Sequence, residues 1–303
     1  MRIGVMSGAT AGPDGTLDGL VARARDLETR GFDSIWMANI FGLDAITAQA
    51  IVGRETERIE LGTAVVPSYP RHPAAIAQQA LTTQAAAGGR FVLGIGLSHK
   101  LVIENMMGLS YEKPASHMRE YMAVLGPLLR GEPAKHEGEE YRVNAALDVP
   151  GAKTVSVLIA ALGDHMLKIA GRTADGTILW MTGPQTIENH IGPKLRAAAS
   201  DAGRPEPRIV AGFPIVVTDD ADAAREKIAS GLSMYGTLPS YRAMLDKEGA
   251  AGPADIAIVG NEKSVGESLD RLSDVGVTDF DAAIFPAEES TDARTLDFLQ
   301  TRV

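Results

Sequence analysis

No cysteine occurs among the 303 residues. Disulfides, thiolate zinc sites, iron–sulfur clusters and a cysteine nucleophile are therefore excluded together. Also missing is any uninterrupted apolar run of the ~20 residues that span a bilayer. The opening MRIGVMSG enters a strand-like run with no basic head, long apolar stretch or cleavage site, so a cytoplasmic protein with no membrane partner is expected. Positive charge is scarce as well: 29 basic against 39 acidic residues give a net charge of -10. Such a balance argues against a general nucleic-acid surface, while a local basic patch for one anionic ligand stays possible.

Familiar catalytic signatures are absent too. The chain has no GxSxG elbow and no GxxxxGK[ST] phosphate loop. Gly94 and Gly96 supply two glycines of a dinucleotide fingerprint, but His99 stands where the third belongs. The six histidines (His72, His99, His117, His136, His165, His190) form neither HxH nor HExxH, which disfavours a hydrolytic metal site. These exclusions push the difficult chemistry onto an organic cofactor.

What is present is a rhythm. Short apolar runs at 2–6, 33–38, 59–66, 91–96, 154–160, 177–181, 208–217 and 279–285 alternate with helical patterns. Leu17, Leu20, Val21, Ala24 and Leu27 fall on one helical face, and Gly31 stops that helix. The runs are apolar almost throughout, as strands of a parallel sheet covered by helices must be. Helices are expected over 43–55, 73–87, 101–107, 116–129, 163–173, 184–202, 219–235, 264–275 (capped by Asn261) and 290–299. Eight strand–helix units in a chain of this length predict an α/β fold, a closed (β/α)8 TIM barrel spanning residues 1–303 as one domain. An open doubly wound sheet is the alternative. Residues 132–153, with a short hairpin near Tyr141–Val143, and 236–254 read as irregular insertions.

In such a barrel the site forms where strands end at their C-termini. Those ends supply Ser7-Gly8, Asn39-Ile40-Phe41, Ala64–Pro67, Leu97-Ser98-His99, Leu162-Gly163-Asp164, Thr182-Gly183-Pro184, Thr218 and Pro286. Carboxylates are few, and small residues and backbone amides are many. A planar, apolar-faced ligand with hydrogen-bonding edges suits this rim better than a sugar or a metal.

The segments GFDSIWMANIFG, RIELGTAVVPSYPRHPAAIAQQ, GGRFVLGIGLSHK and ADGTILWMTGP resemble the luciferase-like flavin and deazaflavin oxidoreductases, and within them the branch using coenzyme F420. The resemblance extends over essentially the whole chain. It implies a non-proline cis peptide at Ala64–Val65 that props the coenzyme ring. It also implies coenzyme contacts from Ser7, Asn39, Leu97, Ser98 and Thr182, and a turn at Leu162, Gly163, His165 and Met166 that meets the phosphate tail. Backbone amides at a helix start suit an anion.

Departures from the family pattern narrow the reaction. Members that oxidise a sugar phosphate carry Asp-His where this chain has Asn39-Ile40, a glutamate where it has His99, and a lysine where it has Pro184. Sugar-phosphate oxidation is thereby disfavoured. Hydride delivery from reduced F420 to an unsaturated, uncharged small molecule is favoured, and His99 is the candidate proton donor. Alternatives are an FMN-dependent monooxygenase and a non-catalytic deazaflavin-binding protein. Arg71 and Lys100 stand near the rim, where either could meet an anionic tail or solvent. Leu101–Met107 could form an apolar lid or pack into the core. Trp36 and Trp180 read as core close to the site. A homodimer is the expected assembly.

Overall fold

The computed structural model describes residues 1–8, 15–287 and 291–303. Among them, eight parallel strands close into a TIM barrel: β1 (Arg2–Met6), β2 (Ser34–Met37), β3 (Glu60–Thr63), β5 (Phe91–Gly96), β8 (Ser156–Ile159), β9 (Gly176–Trp180), β10 (Arg208–Val217) and β12 (Asp279–Ile284). Closure runs through the β9–β10, β10–β12 and β12–β1 ladders. The two-residue β4 (Val66–Pro67) resumes the third strand beyond a bulge, and β11 (Ile258–Gly260) lies beside the upper half of β10. Outside the barrel, β6 (Ala134–Glu137) and β7 (Arg142–Ala145) form the hairpin expected of the first insertion.

All eight expected strands are barrel strands. The helices follow with shifted ends: α1 (Leu17–Arg30), α2 (Ala45–Glu55), α3 (Pro73–Ala86), α4 (Pro114–Leu129), α5 (Asp164–Thr173), α6 (Pro184–Thr186), α7 (Gly192–Asp201), α8 (Ala221–Gly231), α9 (Pro239–Glu248), α10 (Glu262–Asp274) and α11 (Thr291–Gln300). A π-helical turn, Ile187–Ile191, joins α6 to α7. The second insertion is not irregular, because it contains α9. Pro239 at the first helical turn and left-handed Gly249 at the cap bound that helix. The expected start of the last helix at Ser290 lies outside the described residues.

Two packing zones result from strand alternation. Outward residues such as Ile3, Val5, Ile35, Leu61, Leu93 and Phe280 join the helices in one large core. Inward residues Trp36, Val92, Leu158, Ile178 and Val210 form a separate cluster inside the barrel, topped by Ala64, Val65 and Ala160. Trp36 is fully buried there, its Nε1 donating to Ser34 Oγ at 2.8 Å. Glycines make room for it: a Cβ on Gly62 would stand 2.0 Å from the indole, and one on Gly4 2.9 Å from its nitrogen.

Charged residues of four strands plug the opposite end. Arg208 Nη2 donates to Asp279 at 2.6 Å and Glu60 at 2.9 Å, and Arg2 Nη1 reaches both at 3.1 Å. Burial opposes the Arg208 charge, but its bonds to Asp279 and Glu60 outweigh that and raise its pKa. Arg90 of the GGR segment is likewise structural, donating to the carbonyls of Gly53, Thr56 and Ile59. Arg208→Met leaves two inward carboxylates short of charge, and we expect urea unfolding to show a loss of about 3 kcal/mol, the low end for one partner of a buried ion pair.

Candidate functional site

The C-terminal mouth of the barrel is a shallow cup. Met6, Ala64, Ala160, Trp180 and Ala283 are inward-facing by alternation, Val65 packs with the same inner cluster, and each is only partly covered. The residues beneath them, Trp36, Leu158, Val210 and Asp281, are buried. The floor is therefore apolar and built largely from small side chains.

The third strand shows how the sequence makes that floor. The ladder to β5 stops at Gly62–Val92 and restarts at Val66–Ile95. Between these points Thr63 Oγ1 donates to Gly94 O at 2.8 Å and accepts from Gly94 N at 2.9 Å, replacing the missing ladder bonds. The Ala64–Val65 peptide, freed from the ladder, is cis. A Cβ on Gly94 would come within 1.9 Å of Thr63 O, and one on Gly96 within 2.7 Å of Val65. Both glycines of the FVLGIG strand are thus needed for the bulge, which leaves no evidence for a dinucleotide loop.

Two loops leave the rim with left-handed, non-glycine backbone: Ser98 at φ 58° and Met181 at φ 46°. Such conformations are uncommon and gather at functional sites. Ser98 O accepts from Tyr111 Oη at 3.2 Å. The next residue, His99, is half-buried and leans on Tyr241, ring centroids 5.8 Å apart. Burial lowers its pKa, so a proton on this ring is held less firmly than on a free histidine.

Other expected contacts divide into available and committed groups. Ser7 Oγ and Trp180 Nε1 are buried without a partner. Asn39 Oδ1 instead accepts from Ala45 N at 3.0 Å, opening α2, with Arg71 at 3.4 Å. Its oxygen therefore serves local backbone. Thr182 is fully buried, its Oγ1 3.5 Å from Trp180 O. Leu162 O accepts from His190 Nε2 at 2.8 Å. Gly163 caps α5 without a side-chain bond, and Asp164 in the first turn already contributes a carboxylate there. His165 is exposed, while Met166 packs on the core. Leu97 is half-buried against the core.

The two basic residues near the rim are also paired. Arg71 binds Asp44 at 2.8 Å, and Lys100 lies 3.8 Å from Glu104. The expected helix after His99 is a π-helical turn, Leu101–Met106; only Ile103 is buried, while Leu101 and Met106 are exposed. Among the described residues no cluster of three or more potential metal ligands occurs, and no helix is long and apolar enough to cross a membrane.

A polar aromatic knot secures the segment after the cis bond, and sequence reading missed it. Buried Ser68 Oγ lies 2.9 Å from His117 Nε2, and Tyr69 stacks on that imidazole at 3.9 Å. Tyr141 Oη approaches the other ring nitrogen at 3.4 Å. Burial pushes the His117 pKa down to about 4, against a smaller upward pull from Glu120. Burial of Glu120 would raise its own pKa, but the N–H groups of Tyr141, Glu140 and Glu139, with His136, hold it down to about 2.

The comparisons fit this geometry. The family described as luciferase-like monooxygenase matches residues 1–279, and the chain belongs to that family. It is 26% identical over 245 residues to a 5,10-methylenetetrahydromethanopterin reductase of Methanolobus tindarius, covering 80% of this chain and 74% of the relative. It superposes on the coenzyme F420-dependent tetrahydromethanopterin reductase of Methanopyrus kandleri with a TM-score of 0.82 at 20% identity, covering 100% and 98% of the two chains. A similar fold occurs in the FMN-bound oxygenating constituent of 3,6-diketocamphane monooxygenase from Pseudomonas putida, with TM-score 0.77, 16% identity and coverage of 99% and 96%.

The knot generates a signed acid response. His117 has a folded pKa below its unfolded value of 6.5, so its neutral form stabilises the fold above pH 6.5 and that stability is lost as pH falls toward 4. Glu120 adds a second loss below 4.5. The urea midpoint should drop between pH 6.5 and 4.5, and His117→Gln should make that drop smaller, leaving the part due to His99 and the fall below it from Glu120.

Proposed function

We propose that the chain is an oxidoreductase using coenzyme F420, transferring hydride between the deazaflavin and a small uncharged organic substrate, with substrate reduction as the favoured direction. The observation that carries this reading is the apolar floor of Ala64, Val65, Ala160 and Ala283 beside Trp180, whose Nε1 is buried without a partner, as is Ser7 Oγ at the end of the first strand. A buried hydroxyl and indole N–H without partners call for ligand atoms, and a planar ring with polar edges suits both. The reductase relatives support the choice of F420.

When bound, F420 supplies a two-electron hydride carrier that does not activate oxygen. Ala64 and Val65 would support its ring from the third strand. Ser7 and Trp180 would bond its edges, while Leu97 and Ser98 would border it from the fourth-strand loop. Asn39 keeps its amide nitrogen for this role. Gly163 and the turn through His165 and Met166 would face the tail. Thr182 would shape the sixth-strand end from beneath, since it is buried. His99 would hold the proton delivered to substrate.

Tryptophan fluorescence tests the cofactor reading. Trp180 belongs to the floor, so saturable quenching by F420 at micromolar concentration, with none by FMN, is the expected result. Quenching by FMN alone would instead favour the monooxygenase reading that the camphane enzyme's fold suggests. Ala160→Leu should fill the floor and abolish quenching with circular dichroism unchanged.

The pH dependence of turnover tests His99. A charged imidazole donor with a lowered pKa gives activity that declines as pH rises through a value below 6.5. His99→Gln should remove that limb and lower kcat about 100-fold, the lower range for general acid catalysis. A flat profile between pH 5 and 7 would assign the proton to solvent.

A further inference from the structure

The second insertion, together with Tyr235 just before it, builds one side of the cup. Tyr235 stands edge-on to Trp180 with centroids 6.2 Å apart, and Tyr241 stands edge-on to Tyr235 at 5.2 Å. Tyr241 in turn reaches His99. A continuous line of rings thus runs from the end of β9 to the loop after β5. The line is held from behind: Leu245 packs with Met181 and Ile256, and Arg242 donates to the carbonyls of Ala250 at 2.6 Å and Ala251 at 2.7 Å.

A second, independent contact concerns charge. Glu248, the last residue of α9, turns its carboxylate onto the start of α6. It accepts from Gln185 N at 3.1 Å, Thr186 N at 2.7 Å and Thr186 Oγ1 at 2.7 Å. Gly183 leaves room for it, since a Cβ there would stand 2.2 Å from the Glu248 carboxyl carbon and would displace that side chain. The helix N-terminus beside the sixth strand is therefore filled by an anion from the chain itself. Its free N–H groups are spent, and its positive potential is neutralised.

We infer that Tyr235 and Tyr241 are specificity-determining residues that select a flat, ring-containing substrate, and that Glu248 excludes substrates carrying an anionic group from the sixth-strand side. This rests on the cofactor reading above. Edge-on aromatic walls favour another π-system through the ring quadrupole. A phosphate or carboxylate approaching the Glu248 corner meets a like charge and no open donor. Exposed Leu101, Met106 and Met234 continue the apolar surface at the rim.

The test titrates F420-loaded protein by calorimetry with 1-naphthol, cyclohexanol and 1-naphthyl phosphate, which separate the flat ring from the charge. We expect 1-naphthol to bind about tenfold more tightly than either analogue, which is about 1.4 kcal/mol. Tyr241→Leu should erase the preference over cyclohexanol, and Tyr241→Phe should keep it. Glu248→Gln should narrow the gap between naphthol and its phosphate. Equal binding of the three probes, or a preference unchanged in Tyr241→Leu, overturns the inference. The F420 affinity of the same samples separates the two levels. F420 binding without a naphthol preference removes this inference alone, whereas no F420 binding by the unmodified protein removes the cofactor reading and this inference with it.

Discussion

The width of a closed eight-stranded barrel is fixed by its strand number and stagger, and here an indole fills the middle together with Val92, Leu158, Ile178 and Val210. Trp36 lies across the barrel where Gly4 and Gly62 have no side chain to oppose it. Everything above depends on that filling. With the middle occupied, the next inward positions face a space that is neither a packed core nor a deep tunnel. Ala64, Val65, Ala160 and Ala283 at those positions keep it open, with Met6 and Trp180 as its larger walls. Bulkier residues there would complete the core and erase the cup. The site is a place where packing stops short, and it stops short because Trp36 has already filled the level beneath.

The bulge of the third strand is the second consequence. A regular strand from Glu60 to Pro67 would continue its ladder to β5 and turn Ala64 and Val65 into ordinary barrel residues. Thr63 prevents this by taking both hydrogen bonds of Gly94 with its hydroxyl. The polypeptide beyond is then free to take a shape that ladder bonding forbids. The Ser68–His117–Tyr69 knot fixes where it goes next. Local backbone geometry at the cup is thus held from both ends, by a side chain below and a stacked imidazole above.

The barrel was legible in the sequence because parallel strands buried on both faces read as short apolar runs, and all eight stand out. β11 did not, being three residues long and paired with β10 alone. α9 carried its own start and stop in Pro239 and Gly249, yet only Met244 and Leu245 are buried along it. Its apolar periodicity was too thin to register between flanking glycines. At the site, strand ends could be counted, so Ser7, Ala64, Val65 and Trp180 were within reach. The commitment of Asn39 and Thr182 to nearby backbone was not, because a polar residue at a turn looks the same whether its oxygen caps a helix or waits for a ligand. Tyr241 and Glu248 come from an insertion, and Tyr235 from the residue just before it; their position is set by tertiary contacts, and no local pattern announces where the segment folds back.

The distribution of charge around the mouth limits what the cup can recognise. Arg71 is spent on Asp44, Lys100 on Glu104, Asp164 on Lys194, and Glu248 on a helix start. A rim that bound a charged substrate would have to break one of these pairs, and what the substrate gained would be offset by the partner left behind. The groups near the floor without partners are of another kind: the Ser7 hydroxyl, the Trp180 indole and, just beneath, Asp281, whose complete burial raises its pKa well above the usual carboxylate range. The hydroxyl and the indole can each donate a hydrogen bond without bringing a charge, and burial works against the charged form of Asp281. Neutral donors above an apolar floor favour neutral acceptors, such as the carbonyl and imide edges of a ring. The arrangement of paired charges and unpaired neutral groups thus points to the same class of ligand as the shape of the cup does.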